Sequence, residues 1–218
     1  PDGYIGKPAS AGTGVFAMDT GDDSVIPSFD SAFPVDLALY RKPAVQFDWT
    51  LNSRLTGTFE LIVNSNAEES SGDSDLIFDS NIGWAKNRAN TYQSWMWKRH
   101  AGLDVLNYDG DGVPGHQISH SLSKSPEMIW IKRRNNGTAN WVVGHKGLNG
   151  GTNPWEYSLR LNTNDTEIDY PYFNDTAPTS TLFTLNNNGQ VNGGSSNHYV
   201  AMLFASVEGI CKVGYYTG

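Results

Sequence analysis

Two stretches of the chain, IPSFDSAFPVDLALYRK at residues 26–42 and ISHSLSKSPEMIWIKRR at residues 118–134, align without a gap at an offset of 92 residues. At this offset Pro34 meets Pro126, and a basic pair closes each stretch. A recurring sequence is typical of folds that are built by copying one structural unit. The two stretches therefore predict two related units within the 218 residues.

The same offset continues along the chain and pairs Leu37 with Ile129. Aromatic landmarks recur as well: Trp49 with Trp141, and YQSWMW from Tyr92 with YVAMLF from Tyr199. A third landmark is found three times, at residues 15–21, 105–110 and 213–218. These landmarks predict a connecting segment at 1–13, repeat units at 14–103 and 104–209, and the first strand of a further, truncated unit at 210–218. The chain is accordingly expected to be part of a longer polypeptide.

Short strands between turn clusters account for the rest of the pattern. In residues 35–40, VDLALY, the apolar Val35, Leu37 and Leu39 alternate with other residues, which predicts a half-buried strand. Another strand is predicted at residues 76–78, LIF. Asn-Gly pairs mark tight turns, and the chain has 20 Asn, all after position 51. The predicted fold class is all-β: two tandem β-sandwich modules, jelly-roll or lectin-like, related by an internal repeat. A single closed body formed by both halves is the structural alternative.

Composition excludes some classes of partner. Asp and Glu number 23 against 15 Lys and Arg, so the chain lacks the positive charge that wraps nucleic acid. No run of eighteen apolar residues is present, so no membrane span is predicted. The lone Cys211 lies in an apolar stretch, which predicts a buried and inert thiol.

Candidate metal ligands form one short cluster, Asp104, Asp109 and Asp111. Its Asp-Gly spacing resembles the start of a calcium loop, although the distal Glu of an EF-hand is missing. Calcium is therefore the only candidate cofactor, and turn formation is the competing explanation. His116 and His120 stand four apart, but Pro114 disfavours the helix that would place both on one metal.

Candidate ligand-binding residues are aromatic side chains in a region rich in Gly, Asn and Pro: Trp155, Tyr157, Tyr170 and Tyr172. Aromatic rings on loops suit sugar stacking or a protein interface, and core packing is the alternative. The basic pairs at 41–42 and 133–134 are expected to form cation–π contacts with Trp49 or Trp141. No nucleophile elbow, phosphate loop or dinucleotide fingerprint is present, and the chain is predicted not to be an enzyme.

The second half contains a distinctive sequence pattern: VLNYDGDG at residues 105–112, ISHSLSKSPEMIWIKRR at 118–134 and NWVVGHKGL at 140–148. This pattern resembles tandem repeats in virion structural and fibre-like proteins of tailed bacteriophages, of the marine or cyanophage type. The first half matches only at its landmarks, and Phe29, Phe33 and Asp48 depart from the pattern. The resemblance implies a surface-exposed, non-enzymatic virion component and transfers no catalytic residue.

Two hypotheses on function follow. The first is a structural segment of a tail fibre, spike or capsid-attached appendage on the virion surface, a homo-oligomer that contacts other virion subunits. The second is a lectin-like module that recognises host surface glycans and serves host attachment.

Overall fold

The computed structural model describes residues 12–216, and the fold is all-β, as predicted. Helical structure in this range is confined to three short 3-10 turns, Gly12–Gly14, Leu148–Gly151 and Pro154–Glu156. Within the described range, no helix is long and apolar enough to cross a membrane. Most of the predicted connecting segment, residues 1–11, lies outside the described residues.

Residues 12–216 contain fifteen strands. Those of the first half are β1 (Phe16–Thr20), β2 (Phe29–Asp30), β3 (Leu37–Arg41), β4 (Thr50–Ser53), β5 (Leu61–Ile62), β6 (Gly83–Trp84) and β7 (Gln93–Trp97). Those of the second half are β8 (Leu103–Asp109), β9 (His116–Ser119), β10 (Met128–Arg133), β11 (Val142–His145), β12 (Tyr157–Arg160), β13 (Ile168–Asp169), β14 (Leu182–Leu185) and β15 (His198–Phe204). Residues 76–78, predicted as a strand, instead form a loop that buries Leu76 and Phe78.

Two large antiparallel sheets have corresponding strand orders. The first sheet runs β1-β7-β3-β4-β5, and the second runs β8-β15-β10-β11-β12-β13. Each half also pairs two further strands, β2 with β6 and β9 with β14. Position by position, β3 corresponds to β10, β4 to β11 and β7 to β15. This correspondence is one of strand order, and the internal sequence repeat itself stays a prediction.

The registers correct the predicted offset at the central strand. Leu37 pairs with Trp97, and Met128 pairs with Phe204, so Leu37 corresponds to Met128 and not to Ile129. A slip of one residue exchanges the two faces of a strand. Leu37 faces the other sheet, whereas Ile129 faces the interior of its own half. The alternation in residues 35–40 predicted a half-buried strand, but β3 is buried on both faces.

Three apolar clusters organise the molecule as stacked layers. One cluster lies between the first sheet and β2–β6 and contains Phe29, Trp84 and Met96. A second lies within the second half and contains Ile129 and Phe183. The third joins the outer faces of the two large sheets. The two halves therefore share a core, as the single-body alternative proposed.

The ends of the predicted units shift in the structure. β8 begins at Leu103, so the predicted boundary after residue 103 cuts into a strand. Residues 212–216 form no strand, although a first strand of a further unit was predicted at 210–218. Only an isolated bridge between Val207 and Cys211 is present there, and residues 217–218 lie outside the described range. Cys211 is an exposed residue, so the prediction of a buried cysteine is wrong.

Candidate functional site

The structure divides the four predicted aromatic residues. Trp155 and Tyr172 are buried in the core of the second half. The ring of Trp155 packs edge-on against Phe173, with 5.3 Å between ring centroids. Gly144 provides the room, because a Cβ there would lie 2.6 Å from both rings. Trp155 and Tyr172 therefore serve the core-packing alternative rather than a surface site.

Tyr170 and Tyr157 remain accessible to a ligand. Tyr170 is 41% exposed, and its ring centroid lies 4.5 Å from that of Tyr172. Its hydroxyl accepts a hydrogen bond from Nδ2 of Asn188 at 2.9 Å. Tyr157 is half-buried at the start of β12. The structure thus brings together Tyr170 and Tyr172, with one exposed ring supported by a buried one.

The three predicted calcium ligands are engaged separately. Asp104 is buried, and its Oδ2 accepts hydrogen bonds from the backbone N–H and the hydroxyl of Ser121, at 2.7 and 2.9 Å. Asp109 pairs with Nδ1 of His198 at 2.6 Å. Oδ1 of Asp111 accepts from the backbone N–H of Val113 at 2.8 Å. Across residues 12–216, no group of three His, Cys, Asp or Glu side chains is placed to hold a metal ion. These carboxylates act in turns and strand ends.

The two histidines four residues apart, His116 and His120, have different partners. Nδ1 of His116 lies 3.0 Å from Oδ1 of Asn192. Nε2 of His120 lies 3.2 Å from the carbonyl oxygen of Thr179, and burial lowers the pKa of His120. The two imidazoles therefore link the start of β9 and the residue after β9 to different loops.

The predicted cation–π contact is present in the first half. The guanidinium carbon of Arg41 lies 5.0 Å from the ring centroid of Trp49. In the second half, the basic pair binds oxygen atoms instead. Arg133 donates to the carbonyl groups of three loop residues, and Nε of Arg134 donates to Glu69 at 2.7 Å. The second half uses its arginines to fasten loops.

The tryptophan landmarks share one backbone contact and differ in burial. The backbone N–H of Trp49 donates to the side chain of Asn64 at 2.9 Å, and that of Trp141 donates to Asn162 at 2.8 Å. Trp141 is fully buried, and its indole N–H donates to the carbonyl oxygen of Ile62 at 3.0 Å. Trp141 therefore connects the second sheet to the first.

The other landmarks are structural too. Pro126 is buried and Pro34 is half-buried, each shortly before the central strand of its sheet. Tyr199 is buried and stacks on Tyr108 at 5.0 Å between centroids. Tyr92 packs against Tyr40 and Phe47 in the first half.

A clamp built on one carboxylate is found at the start of each central strand. Asp36 pairs with Nε of Arg54 at 3.3 Å, and Oδ2 of Asp36 accepts from the backbone N–H of Arg99 at 2.9 Å. Glu127 pairs with Nζ of Lys146 at 2.6 Å and accepts from the backbone N–H of Ser206 at 2.7 Å. In both sheets the clamp ties three strands together at one end.

The contact between the two large sheets has no counterpart in the prediction of two tandem modules. Leu37, Leu51 and Leu61 of the first sheet meet Val200 and Met202 of the second. We call this surface the inter-sheet contact. The central strands are apolar on both faces, and this is the feature of the sequence that indicated the contact. Two separate modules would leave one of these faces without a packing partner.

Polar groups border the inter-sheet contact. Lys132 is fully buried, and its Nζ donates to the carbonyl oxygens of Asn66, Arg133 and Ala139, at 3.2, 3.1 and 2.9 Å. The backbone N–H of Ala139 also donates to Asn66 at 2.8 Å. Nδ2 of Asn107 donates to the carbonyl oxygen of Leu55 at 2.9 Å. Backbone groups of both halves form hydrogen bonds here. These bonds fix the position of one sheet relative to the other, in addition to the apolar packing.

Comparison with known proteins places the chain in a family. The family model described as Domain of unknown function (DUF7483) matches residues 79–218, which is more than half of the chain. The chain belongs to this family. The DUF7483 match begins just before β6 and so includes β6 and β7 of the first half together with the whole second half. No curated protein and no solved structure matches the chain.

Proposed function

We propose that this DUF7483 chain is a non-enzymatic structural segment of a phage virion appendage: a tail fibre, a spike or a capsid-attached element. The observation that carries the proposal is the inter-sheet contact, in which two β-sandwich halves join through the outer faces of their sheets. A unit that buries its outer face against another unit is suited to serial stacking. Its work would be to present surface and to contact neighbouring subunits at the outside of the particle.

Part of the same outer face is not covered by any of residues 12–216 and supports contact with a second copy of the chain. Phe16 lies opposite Trp97 across the β1–β7 pair, and Met18 lies opposite Trp95. Directly opposite side chains share a face of a sheet, so Phe16 and Met18 continue the face that forms the inter-sheet contact. Phe16 is 37% exposed and Met18 is 60% exposed. A cleft of about 510 Å³, lined by Phe16, Phe204 and Val213 among others, opens beside them.

Light scattering coupled to size-exclusion chromatography tests this proposal. The protein is expected to form oligomers, and Met18→Lys is expected to shift it to the monomer by placing a charge in the contact. Val113→Lys, at a residue 56% exposed in the second half, is the matched control and should leave the oligomer intact. A monomeric protein at all concentrations, together with its absence from the protein content of purified particles, would refute the structural role.

Carbohydrate recognition is the second candidate function, and the exposed ring of Tyr170 favours it. The ring lies against Tyr172 and is held by Asn188, so its orientation is fixed before a ligand arrives. Tyr170→Ala should abolish any signal on an array of host surface glycans if this ring stacks on sugar. Tyr216→Ala, at a side chain 91% exposed near the end of the described range, is the control.

A further inference from the structure

A pocket on the first sheet combines polar and aromatic groups in a way that packing alone does not explain. It has a volume of about 480 Å³ and opens at the β4–β5 edge. Its lining includes Tyr40, Phe47, Asp48, Glu60 and Asn64. The pocket lies on the inner face of the sheet and is separate from Tyr170 and from the inter-sheet contact.

The polar groups of the pocket are held in place by one another. The hydroxyl of Tyr40, a residue 4% exposed, donates to Oε1 of Glu60. Nδ2 of Asn64 donates to Oδ1 of Asp48 at 2.8 Å, while Oδ1 of Asn64 accepts from the backbone N–H of Trp49. Among residues 12–216, no protein donor reaches Oε2 of Glu60 or Oδ2 of Asp48. Two oriented carboxylate oxygens are therefore available to a ligand.

The corresponding positions of the second sheet are apolar. By strand register, Tyr40 corresponds to Ile131 and Thr50 corresponds to Val142. Ile131 and Val142 are both fully buried. Burying hydroxyl groups where aliphatic side chains also fit is unfavourable unless the hydroxyls are used. A local departure from good packing of this kind is typical of a functional site.

The two halves also differ at the neighbouring position of the same strand. Asn52 corresponds to Gly144, because Asn52 pairs with Ala38 as Gly144 pairs with Ile129. At Gly144 the rings of Trp155 and Phe173 approach the backbone, whereas the side chain of Asn52 occupies that place and donates to the carbonyl oxygen of Phe59 at 2.9 Å. The position next to the pocket is thus polar in the first half and packed with aromatic rings in the second.

We propose that this pocket binds a neutral saccharide, with Glu60 and Asp48 accepting hydrogen bonds from sugar hydroxyls and the ring of Phe47 contacting the sugar face. Ionised carboxylates only accept hydrogen bonds, and neighbouring sugar hydroxyls supply donors at short spacing. A few fixed polar groups beside an aromatic surface are the usual composition of a small-molecule site. The lining itself contains two carboxylates and no Lys or Arg. Nζ of Lys42 lies over the Phe47 ring, 5.6 Å from its centroid, so the two carboxylates outnumber this one adjacent cation and disfavour an anionic ligand.

Titration of the isotopically labelled protein with glucose, galactose, mannose and N-acetylglucosamine, followed by NMR, tests the proposal. At least one neutral sugar is expected to shift the amide signals of residues 46–50 and 60–64. Glucuronic acid is expected to bind more weakly than glucose, because both carboxylates repel it. Absence of shifts with every neutral sugar at millimolar concentration would overturn the proposal, and so would shifts confined to the surroundings of Tyr170.

Variants distinguish recognition from indirect effects. Glu60→Gln is expected to weaken sugar binding about tenfold or more, since hydrogen bonds to charged groups are the stronger ones. Thr50→Val copies Val142 and should keep the fold while lowering affinity, which guards against a Glu60 variant that fails to fold. Asp169→Asn, an exposed carboxylate in β13, is the matched control and should bind as the wild type does. Unchanged affinity in both pocket variants would contradict the assignment. None of these outcomes depends on the oligomeric state.

Discussion

At the scale of single residues, two buried side chains of the second half donate hydrogen bonds to backbone groups of the first half. Lys132 reaches the carbonyl oxygen of Asn66, and Trp141 reaches that of Ile62. A buried polar group costs free energy unless it is hydrogen-bonded, so both side chains favour one relative position of the two sheets.

The buried amine of Lys132 makes stability depend on pH. Burial, followed by the nearby charge of Arg133, lowers its pKa from 10.5 to about 8. Between these two values the unfolded state binds more protons than the folded state, so the contribution of Lys132 to the free energy of unfolding rises with pH. Compared with Lys132→Met, the wild type should gain roughly 2–3 kcal/mol between pH 7 and pH 10 in urea unfolding. Lys212→Met, at an exposed position, should show the wild-type slope.

The two tryptophan landmarks offer a matched pair for measuring the inter-sheet contact. Trp141→Phe leaves the buried carbonyl group of Ile62 without its donor and should lower the free energy of unfolding by about 2 kcal/mol. Trp49→Phe removes an indole of a half-buried residue outside the shared core and should cost less than about 1 kcal/mol. Equal losses in chemical denaturation would show that the Trp141–Ile62 hydrogen bond contributes nothing particular.

At the scale of strands, the clamps at Asp36 and Glu127 show that equivalent ends of the two sheets are fastened by the same chemistry. Each carboxylate joins the central strand to the strand on either side of it through a basic side chain and a backbone N–H. Arg54 and Lys146 stand 92 residues apart, at the offset of the repeat, but their carboxylate partners are distant in the sequence. Only the pairing of the strands brings these groups together.

The clamp at Glu127 predicts a stability difference that disappears in acid. Burial alone would raise the pKa of Glu127, but hydrogen bonds from Lys146 and Ser206 outweigh it and hold the pKa below 4.5. A lowered carboxyl pKa contributes stability above its unfolded value, and the contribution is lost as pH falls through the folded value. Glu127→Gln should therefore cost about 1–2 kcal/mol at pH 7 and progressively less below pH 4.5. Thermal unfolding across this range measures it, with the exposed Glu208→Gln as the control.

At the scale of the whole molecule, the shared core predicts that both halves unfold together. Leu51 is fully buried between the sheets, and Leu51→Ala should cost about 2–5 kcal/mol. Hydrogen exchange resolved by peptide should show the loss in both β7 of the first half and β15 of the second. Leu55→Ala, at a side chain 40% exposed, should change stability by less than about 0.5 kcal/mol. Loss of protection confined to the first half would mean that the halves are independent.

The sequence by itself determined the fold class, since short apolar runs between Asn-Gly turns admit little else than antiparallel sheets. It also determined the cation–π contact of Arg41 and Trp49, because both residues belong to one hairpin and local spacing suffices. The sequence did not determine which layer each face of a strand packs against. Alternation in β3 identified apolar positions but not the layer that each one contacts, and the offset of 92 was one residue wrong there.

Tertiary structure alone decided which candidate residues are surface and which are core. Trp155 is buried because Gly144, eleven residues earlier, leaves space for its ring, and no local pattern shows such a fit. The pocket beside Glu60 likewise depends on the pairing of β3, β4 and β5. The apolar periodicity of a strand indicates which residues are buried, whereas contacts between segments distant in the sequence determine which side chains each buried residue packs against.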